Sequence, residues 1–419
     1  MSVASARDIV VPSPAHQIDP VPRVSIQAFC ESPEVAALIG AAMADRRMAK
    51  AHIKHNMGGA AAAVEAYRSA PTPNVIVLEA PADRGNLVEQ LDELAHSCDA
   101  GTKVVVLGKT NDIVLYRQLM ARGVNEYLVA PFDVIEFVRA ISELFRAPGA
   151  KALGRLVAVV GAKGGVGAST VAHNLAWCLA SVTDMATIIA DFDLAFGTAG
   201  LDYNQDPPQG VAEAVFAPER VDGMLVDRLL SKCGDNLSLL AAPATLDRLL
   251  DFSETSFDTL LDAMRASTPW IVLDIPHVWS AWARRILVAS DEVVLVANPD
   301  LANLRNTKNL IETLKGARPH DHPPRLVLNG TGMIKRPEIA TAEFAKTVEV
   351  DPIALIAHDA KLFGSAANNG QMIAEIDPKG KITQIFVQIA SVIAGRTNAA
   401  KPRKGLLNPL VAKLVRVRA

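Results

Sequence analysis

The chain has 419 residues, half of them hydrophobic, and its 42 Lys and Arg against 45 Asp and Glu leave a net charge of −3. That length exceeds what one hydrophobic core organises, so two or three domains are expected. The mildly acidic balance argues against a protein that coats nucleic acid. No apolar run nears the roughly 20 residues of a membrane span, and no basic segment followed by an apolar core opens the chain as a secretory signal would, which predicts a cytoplasmic protein.

In chain order, residues 1–21 carry Pro12, Pro14 and Pro20 with little apolar periodicity and read as a tail. Residues 22–146 alternate short apolar runs with helical patterns. Val24–Phe29, Val75–Leu78, Lys103–Leu107 and Tyr127–Val129 read as strands, and Glu34–Ala44, Leu87–Ala95, Ile113–Arg122 and Val134–Phe145 as helices. Such alternation predicts a parallel sheet covered on both faces. Residues 147–154, with Pro148 and Gly149, read as a linker. A second α/β unit is expected over 155–396, with strands at Leu156–Val160, Thr187–Ala190, Leu237–Leu240, Trp270–Leu273, Glu292–Val296, Arg325–Leu328 and Ile353–Ile356 and a closing helix near Ile382–Ile393. The fold class is therefore α/β, two doubly wound parallel-sheet domains. Cys30, Cys98, Cys178 and Cys233 are scattered without a C-x-x-C pair, which predicts reduced thiols.

The chemistry concentrates where the second unit begins. Residues 161–170 read Gly-Ala-Lys-Gly-Gly-Val-Gly-Ala-Ser-Thr directly after the first strand. A glycine-rich turn from strand to helix lets backbone N–H groups converge on oxyanions, and the helix N-terminus adds partial positive charge. The ordinary pattern G-x-x-x-x-G-K-[ST] places a lysine after the last glycine. Here that position is Ala168, and a different lysine, Lys163, stands at the front. Gly164, Gly165, Val166 and Gly167 supply the backbone, the Ser169 hydroxyl is a ligand for Mg²⁺, and Thr170 is a donor to the α-phosphate. Asp191 and Asp193 follow the second strand and Asp274 follows the fourth. Carboxylates at the carboxyl ends of parallel strands line the crevice where such sheets bind ligands, and magnesium takes oxygen ligands. Without the second lysine, hydrolysis is expected to be slow while ATP is still held.

These residues resemble the MinD/ParA superfamily of deviant P-loop ATPases. The likeness rests on K-G-G-V-G-x-S-T at 163–170, D-F-D at 191–193, the apolar run to Asp274, Asn298-Pro299-Asp300, Asn329 and Gly370. The resemblance implies ATP and Mg²⁺ as cofactors and a homodimer in which Lys163 reaches the partner's phosphates. It implies further that Asp193 positions the attacking water, that Asp191 and Asp274 serve the magnesium shell, and that Asn329 contacts adenine. The family usually has Arg after that Asn, where this chain has Gly330.

The first unit resembles a response-regulator receiver, through its strand-helix order and through Gly123–Phe132. Working receivers carry an acidic pair, a phosphorylatable Asp, a hydroxyl and a Lys. Here Cys30-Glu31, Glu79, Gly108 and Ala130 stand at those places, which predicts a docking or self-association module rather than a phosphorylated switch. An atypical receiver followed by such an ATPase resembles the CpaE/TadZ proteins. That resemblance implies a localisation factor for Flp/Tad-type pilus assembly, often polar, with pilus and secretion machinery proteins as partners. Two other readings stay open, a DNA-partition ATPase, which the Ala168 gap and the acidic balance disfavour, and a nucleotide-free scaffold. Residues 397–419 carry Lys401, Arg403, Lys404, Lys413, Arg416 and Arg418 interleaved with apolar residues. This spacing fits either a solvated basic end or an amphipathic segment that meets an anionic membrane surface.

Overall fold

The protein is described by a computed structural model covering residues 18–80, 87–147, 149, 151–246 and 250–396. The basic end at 397–419 lies outside the described residues.

The first unit runs β1 (Ser25–Cys30), α1 (Pro33–Met43), β2 (His52–Met57), α2 (Gly59–Tyr67), β3 (Val75–Glu79), α3 (Leu87–Ser97), β4 (Lys103–Gly108), α4 (Ile113–Ala121), β5 (Glu126–Val129) and α5 (Val134–Leu144). Its sheet is parallel in the order β2-β1-β3-β4-β5, the flavodoxin-like order. The two-residue period of a strand sends Val75 and Val77 into one core and Ile76 and Leu78 into the other. β2 and α2 go beyond the sequence expectation. β2 is an edge strand with one buried residue, Ile53.

The second unit runs β6 (Arg155–Gly161), α6 (Ala168–Thr183), β7 (Thr187–Asp191), α7 (Ala199–Asp202), α8 (Val211–Phe216), α9 (Gly223–Leu229), β8 (Ser231–Lys232), β9 (Leu237–Leu240), α10 (Asp258–Ser267), β10 (Trp270–Ile275) and α11 (Ala281–Ala289). It continues with β11 (Glu292–Ala297), α12 (Leu301–Ala317), β12 (Arg325–Thr331), α13 (Thr341–Val348), β13 (Pro352–Ala357), α14 (Ala360–Asn369), α15 (Ile373–Ile376) and α16 (Lys381–Ile393). The strand order is β13-β12-β11-β6-β10-β7-β9-β8. Seven strands are parallel, and the two-residue β8 is antiparallel at the edge, a departure from the all-parallel expectation. β6 lies at the centre with Leu156, Ala158 and Val160 in one layer and Val157 and Val159 in the other. α6 is buried along most of its length and shares its layer with Phe386, Ile389 and Ile393 of α16.

A buried ion cluster joins the two units. A single 3-10 turn, Arg46–Met48, capped by Asp45, presents two arginines to the second unit. Arg46 bonds Asp321 (2.8 Å) and the Ala289 carbonyl (2.9 Å) and pairs with Asp291. Arg47 pairs with Asp45 and Asp321. Asp291 also accepts the Leu156 N–H at the start of β6 (2.9 Å) and pairs with Arg265.

Candidate functional site

The turn between β6 and α6 is built by steric necessity. Gly165 and Gly167 have φ of 78° and 83°, in the region that favours glycine. A Cβ on Gly167 would lie 2.5 Å from the Asn329 amide nitrogen. Gly161, Gly165 and Gly167 thus let the chain reverse tightly and deliver Ala168 as the first residue of α6. Lys163, Gly164 and Gly165 are exposed, Val166 is buried, and Gly167, Ala168, Ser169 and Thr170 are half-buried. A Cβ at Gly164 or Gly165 would meet nothing within 4 Å, so the loop's outer side is open.

The loop is braced from β12, from the turn after β10 and from helix α12. The Asn329 amide donates to the Val166 carbonyl (2.8 Å), and Asn298 donates to the Asn329 carbonyl (2.9 Å). His277 bonds the Gly161 carbonyl (2.9 Å) through Nδ1, and Asn306 donates to the Ala162 carbonyl (2.9 Å). Asn329, expected at the base, therefore has its amide nitrogen on the loop. Arg336, six residues beyond Gly330, donates to the Gly330 carbonyl and pairs with Glu338.

Beneath the loop the carboxylates converge. Asp191 and Asp274 are register partners on adjacent strands, and both are buried. Asp191 accepts the N–H groups of Asp193 (3.0 Å) and Ala199 (3.1 Å). Burial first, and the nearby Asp274 second, push its carboxyl up to about 7. Asp193 is half-buried and accepts the Phe196 N–H (3.0 Å). Lys163 forms no ion pair among the described residues, Asn329 bonds the loop, Asp191 and Asp274 face each other on adjacent strands, and Asp193 bonds within its own turn.

One residue that the sequence reading passed over is central here. His173 on α6 is wholly buried. Its Nδ1 lies 2.7 Å from Asp202 on α7, and its Nε2 lies 3.4 Å from Asp274. Burial acts to lower its basicity, but the flanking carboxylates of Asp202 and Asp274 overcome that and hold it at about 10. The available signal was a His-Asn pair inside an otherwise apolar helical run, Val171–Leu179.

Exposed apolar side chains ring the same end of the sheet. Phe196 follows β7, Val278 and Trp279 follow β10, Leu301 opens α12 after β11, and Ile334 follows β12. Trp282, three residues after Trp279, packs instead against Phe257 with ring centroids 4.7 Å apart.

Comparison with known proteins bears on this arrangement. The family model described as an AAA domain matches residues 154–324. The Helicobacter pylori septum site-determining protein MinD is 26% identical over 238 residues, covering 53% of this chain and 84% of that protein. The ParA family ATPase of Chlorobium tepidum is similar in structure, with a TM-score of 0.51 and 23% identity over 57% of this chain and 98% of that one. That likeness carries the fold of the second unit. The pilus assembly protein CpaE of Caulobacter crescentus is 47% identical over 31% of this chain and 100% of the solved one, with a TM-score of 0.30.

Proposed function

The chain belongs to the CpaE-type pilus assembly proteins of the MinD/ParA superfamily, and from that membership we propose that it is an ATP-binding, weakly hydrolysing dimeric switch. In this reading it localises assembly of a Flp/Tad-type pilus secretion machine, often at a cell pole. The carrying observation is the pairing of an open glycine loop that lacks its own phosphate lysine with an exposed lysine, Lys163, at the loop's front.

The roles follow from position. Backbone N–H groups of 164–170 and the N-terminus of α6 bind the phosphates. Ser169 is the magnesium ligand, and Asp191 and Asp274 lie in the shell around the ion. The donor set fits, since a hydroxyl beside buried carboxylates is what a hard dication takes. Bound magnesium supplies charge neutralisation at the phosphates. Asp193 orients the attacking water. Asn329 contacts the base, with Arg336 beside it at the Gly330 carbonyl. Lys163 of each protomer completes the other's site, and the exposed Phe196, Trp279, Leu301 and Ile334 supply apolar area for a face-to-face dimer. The first unit is the docking module for machinery proteins, and residues 401–419 are the segment that meets a membrane surface. No helix of the described residues is long and apolar enough to cross one.

Sedimentation velocity on the full chain and on Lys163→Ala, each with Mg-ATP, Mg-ADP or no nucleotide, tests this reading. The wild type is expected to dimerise with Mg-ATP alone, and Lys163→Ala to stay monomeric at least tenfold above the wild-type dimerisation concentration. A wild type whose association state ignores ATP overturns the proposal.

A further inference from the structure

The cluster beneath the loop adds to the two carboxylates of the nucleotide reading a nitrogen donor, His173, which that reading does not use. His173, Asp191 and Asp274 each offer one ligand atom, these atoms all lie within 4.8 Å of one another, and all three residues are buried. Ligands around one transition dication at ~2.1 Å stand roughly 3–4.2 Å apart, so a modest inward turn of these side chains seats an ion. The imidazole supplies the independent sign. Nε2 is buried, makes no hydrogen bond among the described residues, and faces Asp274 at 3.4 Å. The other ring nitrogen is held by Asp202 at 2.7 Å. A carboxylate on the far nitrogen, fixing the tautomer and ring plane, is what metal-bound histidines have behind them.

We propose that His173, Asp191 and Asp274 form a buried site for a transition dication, with Asp202 orienting His173, and that the site fills without nucleotide. A nitrogen in the set moves preference away from magnesium, which favours all-oxygen octahedra and keeps its waters, toward ions such as Mn²⁺ and Zn²⁺. An ion there takes the place of the imidazole proton as counter-charge to two buried carboxylates that face each other on adjacent strands. Such an ion ties the phosphate-loop helix to the strand ends that carry Asp191 and Asp274. The inference goes beyond the nucleotide reading and does not rest on it.

The test uses the full chain, stripped of metal and free of nucleotide. Calorimetric titration with Mn²⁺, Zn²⁺ and Mg²⁺ is expected to give one Mn²⁺ or Zn²⁺ site per chain, at least 100-fold tighter than Mg²⁺, and His173→Gln is expected to weaken it at least tenfold. Pulsed electron resonance on the Mn²⁺ form of the wild type, labelled with ¹⁵N-histidine, is expected to report a directly bound imidazole nitrogen. That reading holds whether or not His173→Gln folds. Absence of stoichiometric binding, equal affinity for Mg²⁺, or Mn²⁺ bound without a histidine nitrogen overturns the site. None of these results depends on ATP, so the site and the ATP-driven dimer fail separately.

Discussion

Ala168 is the first residue of α6, at the point where the helix N-terminus faces the phosphate loop. A methyl group there leaves the backbone donors in place and removes only an ammonium. Such a charge acts on developing negative charge in the transition state, so its loss slows turnover more than it weakens binding. The neighbouring space accepts a longer side chain, because Ala168 is half-buried and the loop's outer side is open. Ala168→Lys is therefore expected to tighten ATP binding about tenfold, or about 1.4 kcal/mol, and to raise the hydrolysis rate by more than that factor. Fluorescent-nucleotide titration and phosphate release measure the two. Unchanged affinity would mean that the loop does not cradle the phosphates. This residue was legible in the sequence because a loop motif has fixed spacing. Asn329 was legible as a site residue, but not as the brace of the loop, because the Val166 carbonyl that it binds lies 163 residues away in the chain.

Among the elements, legibility followed burial. The inner parallel strands of the large sheet are apolar runs covered on both faces, and edge strand β13, though Leu355 and Ala357 are exposed, still carries the apolar run Ile353–Ile356, so each was readable from the sequence. β2 escaped because an edge strand with His52, Lys54 and His55 facing solvent has no two-sided apolar signature. At the carboxyl ends of β3, β4 and β5 the first unit carries a pocket closed by its own side chains. Glu79 is buried, and its carboxylate accepts the N–H groups of Glu31 (2.7 Å) and Ser32 (2.9 Å) and the Ser32 hydroxyl (2.7 Å). The acceptor position is thus tied to the loop after β1. Gly108 at the end of β4 leaves room for the Tyr127 ring, whose hydroxyl donates to the Thr110 carbonyl (2.9 Å). A Cβ at 108 would lie 2.2 Å from that hydroxyl oxygen. Gly108→Ala is expected to displace the ring and destabilise the first unit by about 1–3 kcal/mol, read as a lower urea midpoint with an unchanged slope. A midpoint equal to wild type would show that the ring is free to leave, and would remove the argument that this pocket is closed by packing.

At the scale of the molecule, the two units meet on the edge of the large sheet away from the loop. Asp291 directly precedes β11 and Asp321 lies four residues before β12, both at the amino ends of these strands, while the phosphate loop follows the carboxyl end of β6. A seven-residue strand separates these edges by roughly 20 Å. A dimer closing over the loops would therefore leave both first units on its outer sides, accessible to partners. The joint was not legible in the sequence, since Arg46 and Asp321 stand 275 residues apart and neither belongs to a motif. Its chemistry makes it pH-sensitive. Burial acts to raise the Asp321 carboxyl, but Arg46, Arg47 and Arg318 overcome this and hold it at about 2. Asp291 is likewise held below its ordinary value, with Arg265 and Arg46 outweighing burial. A carboxylate more acidic in the folded state stabilises that state fully above its unfolded value of about 3.9, and the contribution disappears as pH falls through about 2. The joint is therefore intact at neutral pH and loosens between about pH 4 and pH 2. Asp321 alone accounts for on the order of 2 kcal/mol of that window. Asp321→Asn is expected to lose this contribution at pH 7, to flatten the stability profile between pH 4 and 2, and to let the linker at 147–154 be cut faster in limited proteolysis. A variant with wild-type stability and cleavage would show that the arginines find other partners and that Asp321 does not hold the two units together.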